Sequence, residues 1–230
     1  MAFDLAENLH RVRMEIAESE RTSGRTAGSV ELVAVSKAHP PELIRQAYEA
    51  GQLLFGENRV QEAKAKIPEL PARLRWHLIG HLQSNKIRQA LPLFEMFHGV
   101  DSVELLEEIQ RIAADLGLFP RILLQVNVAG ESSKFGFAPE RLLSELERIA
   151  RAERIQVDGL MTIPPLSANP EDSRKYFVLL RQLRDRLEKE FRLSLPHLSM
   201  GMSGDYRVAV EEGATLVRVG TAIFGERRAK

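Results

Sequence analysis

Apolar positions along the chain alternate between two textures. Short runs of Val, Ile, Leu and Met occur at residues 32–37, 53–55, 74–79, 96–100, 122–128, 156–161, 197–200 and 216–219. Most are continuously apolar, the pattern of strands covered on both faces in a parallel sheet. Between them, apolar residues recur at helical spacing. Asp101 and Glu104 read as a capping box, Leu105, Leu106, Ile109, Ile112, Ala113 and Leu116 follow on one face, and Gly117 is the stop. Asn169-Pro170-Glu171-Asp172 combines an N-cap, a first-turn proline and acidic first-turn residues. The stripe behind it is Tyr176, Phe177, Leu180, Leu183 and Leu187. Further helices are expected at 41–50, ending at Gly51, and around Leu142, Leu143, Leu146, Ile149 and Ala150.

Eight strand–helix alternations predict an α/β fold, a (β/α)₈ TIM barrel in one domain spanning residues 1–230. The segment after the eighth strand, 220–230, is short and charged for a closing helix. Residues 3–19 carry Leu5, Leu9, Val12 and Ile16 at helical spacing and are expected to close the outer ring instead. A doubly wound open sheet is the competing architecture, because alternation does not say whether the sheet closes.

Composition narrows the function classes. Thirty-two basic residues balance thirty-two acidic ones, so the basic excess of a sequence-independent nucleic-acid binder is missing. Cysteine is absent, which excludes disulfides, thiolate nucleophiles and Cys-based metal sites. No apolar run approaches the ~20 residues that span a bilayer, and Met1-Ala2-Phe3-Asp4 lacks the layout of a secretion signal. A cytoplasmic protein is expected, without nucleic-acid or membrane partners. No apolar stripe is left unassigned, which favours a monomer.

Barrel active sites lie at the carboxyl ends of strands. Lys37 ends the first strand in the parity of Val33 and Val35, aimed into the mouth. It is either a snorkelling lysine or a desolvated amine able to form a Schiff base with a carbonyl compound. Met202-Ser203-Gly204-Asp205 follows the seventh strand, with Ser203 placed as an N-cap beside free amides that suit an anion. Arg218-Val219-Gly220-Thr221 ends the eighth strand, and the loops after strands seven and eight are where barrels bind phosphate. Asn58, after the second strand, either reaches the mouth or caps a helix. His77 and His81 sit in a strand running into a loop, so helical metal-site logic does not apply to them.

An aldehyde-ready lysine and a phosphate-type mouth converge on pyridoxal 5'-phosphate (PLP). The chain resembles the YggS/PROSC family of PLP-binding homeostasis proteins, related in fold to the N-terminal barrel of alanine racemases. The resemblance is carried by Ala34-Val35-Ser36-Lys37, Phe55-Gly56-Glu57-Asn58-Arg59-Val60-Gln61-Glu62, and Trp76 through Lys86 with its Gly80-His81-Leu82-Gln83-Ser84-Asn85-Lys86 end. Gly159-Leu160-Met161-Thr162, Leu198 through Asp205 and Val217 through Gly225 complete it. It implies that Lys37 holds PLP as a Schiff base, that Ser203, Gly220 and Thr221 cradle the phosphate, and that Arg218 faces the pyridine nitrogen. Asn58 would lie near the cofactor. The related racemases use a tyrosine base from a C-terminal domain, and this sequence ends at Lys230 without one. The implied role is vitamin B6 and amino-acid homeostasis without efficient catalysis, with transient delivery to apo PLP-dependent enzymes. A racemase-like enzyme of low activity, using for example His81 as base, and a cofactor-free Schiff-base aldolase are the competing readings.

Overall fold

The computed structural model describes residues 4–131 and 134–226. Phe3, the expected start of the first helix, and the tail 227–230 lie outside the described residues. Strands β1 Glu31–Val35, β2 Leu54–Glu57, β3 Arg75–Leu78, β4 Met96–Val100, β5 Arg121–Gln125, β6 Gln156–Met161, β7 His197–Ser199 and β8 Leu216–Val219 pair in sequence order, all parallel. β8 returns to β1, with Val33 opposite Arg218, so the barrel is closed and the open-sheet alternative is excluded. Each expected strand is present. The fifth is shorter than its apolar run, because beyond Gln125 only Val126 bridges, to Phe137.

Alternation along the strands builds two cores. Val33, Val35, Leu54, Ile79, Met96, Leu123, Met161 and Leu216 form the cluster inside the barrel. Their neighbours Ala34, Phe55, Leu78, Phe97, Leu124, Leu160, Leu198 and Val217 belong to the larger cluster shared with the helices. Both parities are therefore apolar, which is why the strands read as unbroken runs.

The outer layer contains α1 Leu5–Thr22, α2 Pro41–Glu49, α3 Val60–Lys66, α4 Ile87–Ala90, α5 Val103–Leu116, α6 Pro139–Ala150, α7 Arg174–Phe191, α8 Tyr206–Glu211 and α9 Thr221–Phe224. α1 buries Leu5, Leu9, Val12 and Ile16 and packs against α2, α8 and α9, closing the ring where α9 is a single turn. Asn8 and Arg11 of α1 each donate at 3.2 Å, to the Ile223 and Ala222 carbonyls, which ties down the last turn.

Three local expectations are corrected. The cap of α5 is Ser102, whose hydroxyl accepts from Leu105 N–H at 3.3 Å, and Asp101 is turned instead toward His81. Asn169 caps a 3₁₀ turn, Pro170–Ser173, and α7 starts only after it. Tyr176 is half-buried and Ala150 is exposed, so each falls at the edge of its stripe.

At the amino ends of the strands, arginines and carboxylates interlock. Arg75 pairs with Glu95 at 2.7 Å and Glu31 at 2.5 Å, and Arg121 pairs with Asp158 and, at 3.4 Å, with Glu95. The two carboxylates hold the Arg75 pKa above its ordinary value.

Candidate functional site

The opposite end is open. A cavity of about 350 Å³ sits at the carboxyl ends of the strands, and its walls include Lys37, Asn58, Ser203, Arg218, Gly220 and Thr221. Elements far apart in sequence bring these six together. Lys37 does not end the strand as its parity with Val33 and Val35 suggested: β1 stops at Val35, and Lys37 lies beyond it in a turn closed by His39 N–H donating to the Ser36 carbonyl at 3.1 Å. Ala38 occupies the left-handed region of that turn at φ 62°. Asn58 is not a cap: the cap position of α3 belongs to Arg59, while Asn58 lines the cavity. It is held there by close backbone packing, since a Cβ on Gly80 would lie 2.4 Å from the Asn58 carbonyl oxygen.

Ser203 does something other than cap α8. Asp205 takes that cap position without a side-chain cap bond and accepts from Met202 N–H at 2.7 Å. The Ser203 hydroxyl accepts from Gly220 N–H at 3.1 Å and from Ala222 N–H at 3.3 Å. Two loops are thus stitched together, and the hydroxyl proton is left to donate elsewhere. Gly201, at φ 90° and with a virtual Cβ 2.5 Å from the Ala209 Cβ, lets the β7 loop fold tightly onto α8.

Arg218 is 3% exposed. Its guanidinium donates to Ser199 Oγ at 2.5 Å and to the Thr162 carbonyl at 2.9 Å, both neutral acceptors. Burial pulls its pKa down to about 10, with the more distant Asp205 opposing. Behind it runs a buried chain that the sequence reading missed. Ser199 Oγ meets His98 Nδ1 at 2.9 Å, and His98 Nε2 meets His77 Nδ1 at 3.0 Å. One proton bridges each contact, running either from Ser199 through His98 to His77 or in the reverse direction, since the serine oxygen can accept from Arg218 and still donate to, or accept from, His98. Both histidines are then neutral, in keeping with burial, which depresses the pKa of His77 to about 3 and that of His98 well below the usual range. Their inward parity on β3 and β4 was the available signal; hydrophobic pattern alone does not mark a histidine as interior.

The loop after β6 also went unread: Ile163, Pro165, Leu166 and Ser167 line the cavity, and Leu166 is 96% exposed. Lys134 donates to the Pro164 carbonyl at 3.1 Å and links this loop to the one after β5. His81 is elsewhere on the rim, bonded through Nδ1 to Asp101 at 3.0 Å and stacked on Phe135 with ring centroids 4.4 Å apart; it is not among the residues lining the cavity. Among the described residues, no cluster of three or more His, Asp or Glu has the arrangement of a metal site.

Fold and mouth together define a (β/α)₈ barrel with a small-ligand cavity at its carboxyl face, lined by a lysine, a buried arginine and loop amides. The family model described as alanine racemase, N-terminal domain, matches residues 8–228, and the chain belongs to that family. Within it, the chain is similar to the pyridoxal phosphate homeostasis protein of Aquifex aeolicus (strain VF5), 45% identical over 223 residues covering 96% of this chain and 98% of that protein. PipY of Synechococcus elongatus PCC7942, solved with PLP bound, is 43% identical with a TM-score of 0.85, over 96% of this chain and 100% of that one. Alanine racemase of Clostridium difficile 630 shares the fold, at 16% identity and a TM-score of 0.75. It matches 98% of this chain, which spans 57% of the racemase.

Proposed function

We propose that this protein holds PLP at the barrel mouth and serves vitamin B6 and amino-acid homeostasis as a carrier, without efficient catalysis. The observation that carries the reading is a buried arginine that, among the described residues, is bonded only to neutral acceptors, in the wall of the cavity that Lys37 also lines. A volume near 350 Å³ lies in the range of small-ligand sites, ~300–1,000 Å³. The donor set fits the cofactor's chemistry: an amine for an aldehyde, amides and hydroxyls for a phosphate, a guanidinium for a ring nitrogen.

Bound PLP would supply an aldehyde open to reversible amine capture and, when its ring nitrogen is protonated, an electron sink. Lys37 would hold the cofactor through its amine, with the aldehyde oxygen released as water, so that no oxidant or reductant is needed. Ser203 and Thr221 give hydroxyl donors to the phosphate, and the Gly220 loop gives backbone. Asn58 borders the cofactor from the β2 side. Arg218, whose pKa of about 10 keeps it protonated at neutral pH, would face the ring nitrogen as a donor and leave it an acceptor. An unprotonated ring stabilises carbanions poorly, which supports holding over turnover. The position of His81, engaged by Asp101 and Phe135 outside the cavity wall, supports the same conclusion.

On this reading the chain is one domain over residues 1–230, a cytoplasmic monomer that passes PLP to apo PLP-dependent enzymes. No helix among the described residues is long and apolar enough to cross a membrane. Adding PLP to the purified protein and following the visible spectrum tests binding. Incubating the loaded protein with single-enantiomer amino acids tests the carrier role. A borohydride-sensitive band with no change in chirality is expected. Sustained racemisation lost in Lys37→Ala would overturn the carrier reading.

A further inference from the structure

The peptide groups on either side of Lys37 both end on one buried ionic cluster, which no part of the cavity itself requires. Lys66, on α3, is 7% exposed, and its ammonium has three acceptors for its three protons. These are the Ser36 carbonyl at 2.9 Å, Glu57 Oε1 at 3.0 Å and Glu62 Oε1 at 2.5 Å. Glu62 Oε1 in turn accepts from Ala38 N–H. Ser36 Oγ donates to Glu57 Oε1 at 2.7 Å, and that carboxylate is fully buried, its Oε2 having no partner among the described residues. The Ser36 carbonyl belongs to the peptide entering Lys37, and the Ala38 N–H to the peptide leaving it.

We infer that Lys66 and Glu62 are positioning residues for Lys37, a clamp that fixes the direction of its side chain by pinning both flanking peptides. The inference rests on Lys37 being the amine that captures the aldehyde. Three observations favour a positioning role over a merely stabilising one. A buried lysine between two carboxylates bears a desolvation cost that aliphatic packing of α3 would avoid. Two arms of the cluster end on the backbone of residues 36 and 38. The turn it holds places Ala38 at φ 62°, a conformation that L side chains disfavour, so the turn needs outside support.

Glu62→Ala separates the two roles, because Lys66 keeps Glu57 as its counter-ion and no buried charge is orphaned. The probes are PLP and pyridoxine 5'-phosphate, which has the ring and phosphate but no aldehyde. In Glu62→Ala, PLP capture, read as growth of the borohydride-sensitive visible band, should slow about tenfold or more, the scale of one lost charge-assisted hydrogen bond. Affinity for pyridoxine 5'-phosphate should stay within about twofold. Glu62→Gln, which keeps the accepting oxygen, should restore most of the rate. Equal loss of both ligands, or an unchanged rate with PLP, would overturn the clamp. Lys66→Met is the harsher variant; if it fails to fold, Glu62→Ala and Glu62→Gln still decide. Failure of the unsubstituted protein to develop a band would instead overturn the PLP-holding reading, and the clamp with it.

Discussion

The two ends of this barrel treat arginine in opposite ways. At the amino ends of the strands, Arg75 and Arg121 are each met by two carboxylates, among Glu31, Glu95 and Asp158, at partly exposed positions. At the carboxyl ends, Arg218 is almost fully buried and is met by a hydroxyl and a carbonyl. The first arrangement neutralises charge and seals the barrel. The second leaves a desolvated cation with no carboxylate partner among the described residues, in the wall of the cavity. One fold therefore separates a stabilising end from a binding end by what faces its arginines.

Substitutions can break this division. The largest effect is expected from Lys37→Ala: covalently retained PLP, measured after borohydride reduction, should fall to background while far-UV circular dichroism is unchanged. Next comes Ser203→Ala with Thr221→Ala, which should weaken PLP binding about ten- to a hundredfold by equilibrium dialysis, as charge-assisted bonds to phosphate are lost. Ser203→Ala alone should cost less, because it frees the Gly220 and Ala222 amides for the phosphate. Arg75→Met should do the converse. It should lower unfolding free energy in urea by about 1–2 kcal/mol while leaving PLP affinity unchanged.

An effect of similar size, confined to acid pH, is a pH slope. His77 and His98 are held neutral by burial, so their folded pKa values lie below the unfolded one near 6.5. The stability they contribute is complete above that value and is lost as pH falls from about 6.5 toward about 3. His77→Gln should remove up to ~1.4 kcal/mol per pH unit of that fall. Urea midpoints between pH 7.5 and 5 check this, and an unaltered slope would show that His77 is not held neutral.

Much of the frame was legible because it depends on patterns the chain repeats. Eight apolar runs with helical segments between them announced the barrel, and the glycine-bearing loops after β7 and β8 marked its mouth. Whether the sheet closes was not legible from alternation alone, since that depends on β8 pairing with β1, whereas the helical spacing of Leu5, Leu9, Val12 and Ile16 did point to α1 filling the ring beside the single-turn α9. Lys37, Asn58, Ser203, Arg218, Gly220 and Thr221 were all singled out, and all border one cavity. The role expected of Ser203 as a cap was wrong: local sequence favours a cap, and the tertiary contact with the amides of Gly220 and Ala222 overrides it. Asp101 lost its cap to Ser102 in the same way, through its bond to His81. Of the groups behind the wall, His77 was weighed only as a metal ligand, and His98, Ser199 and the Lys66 cluster escaped notice, because their meaning lies in partners on other strands and helices.

The central claim is that one amine at the end of β1 captures the cofactor's aldehyde. Reducing the PLP-loaded protein with borohydride and mapping the modified peptide by mass spectrometry tests it most directly. The pyridoxyl group should be found on the peptide that carries Lys37, at one per chain. Its presence on Lys66, Lys134 or any other lysine in place of Lys37, or the lack of any adduct, would contradict the account.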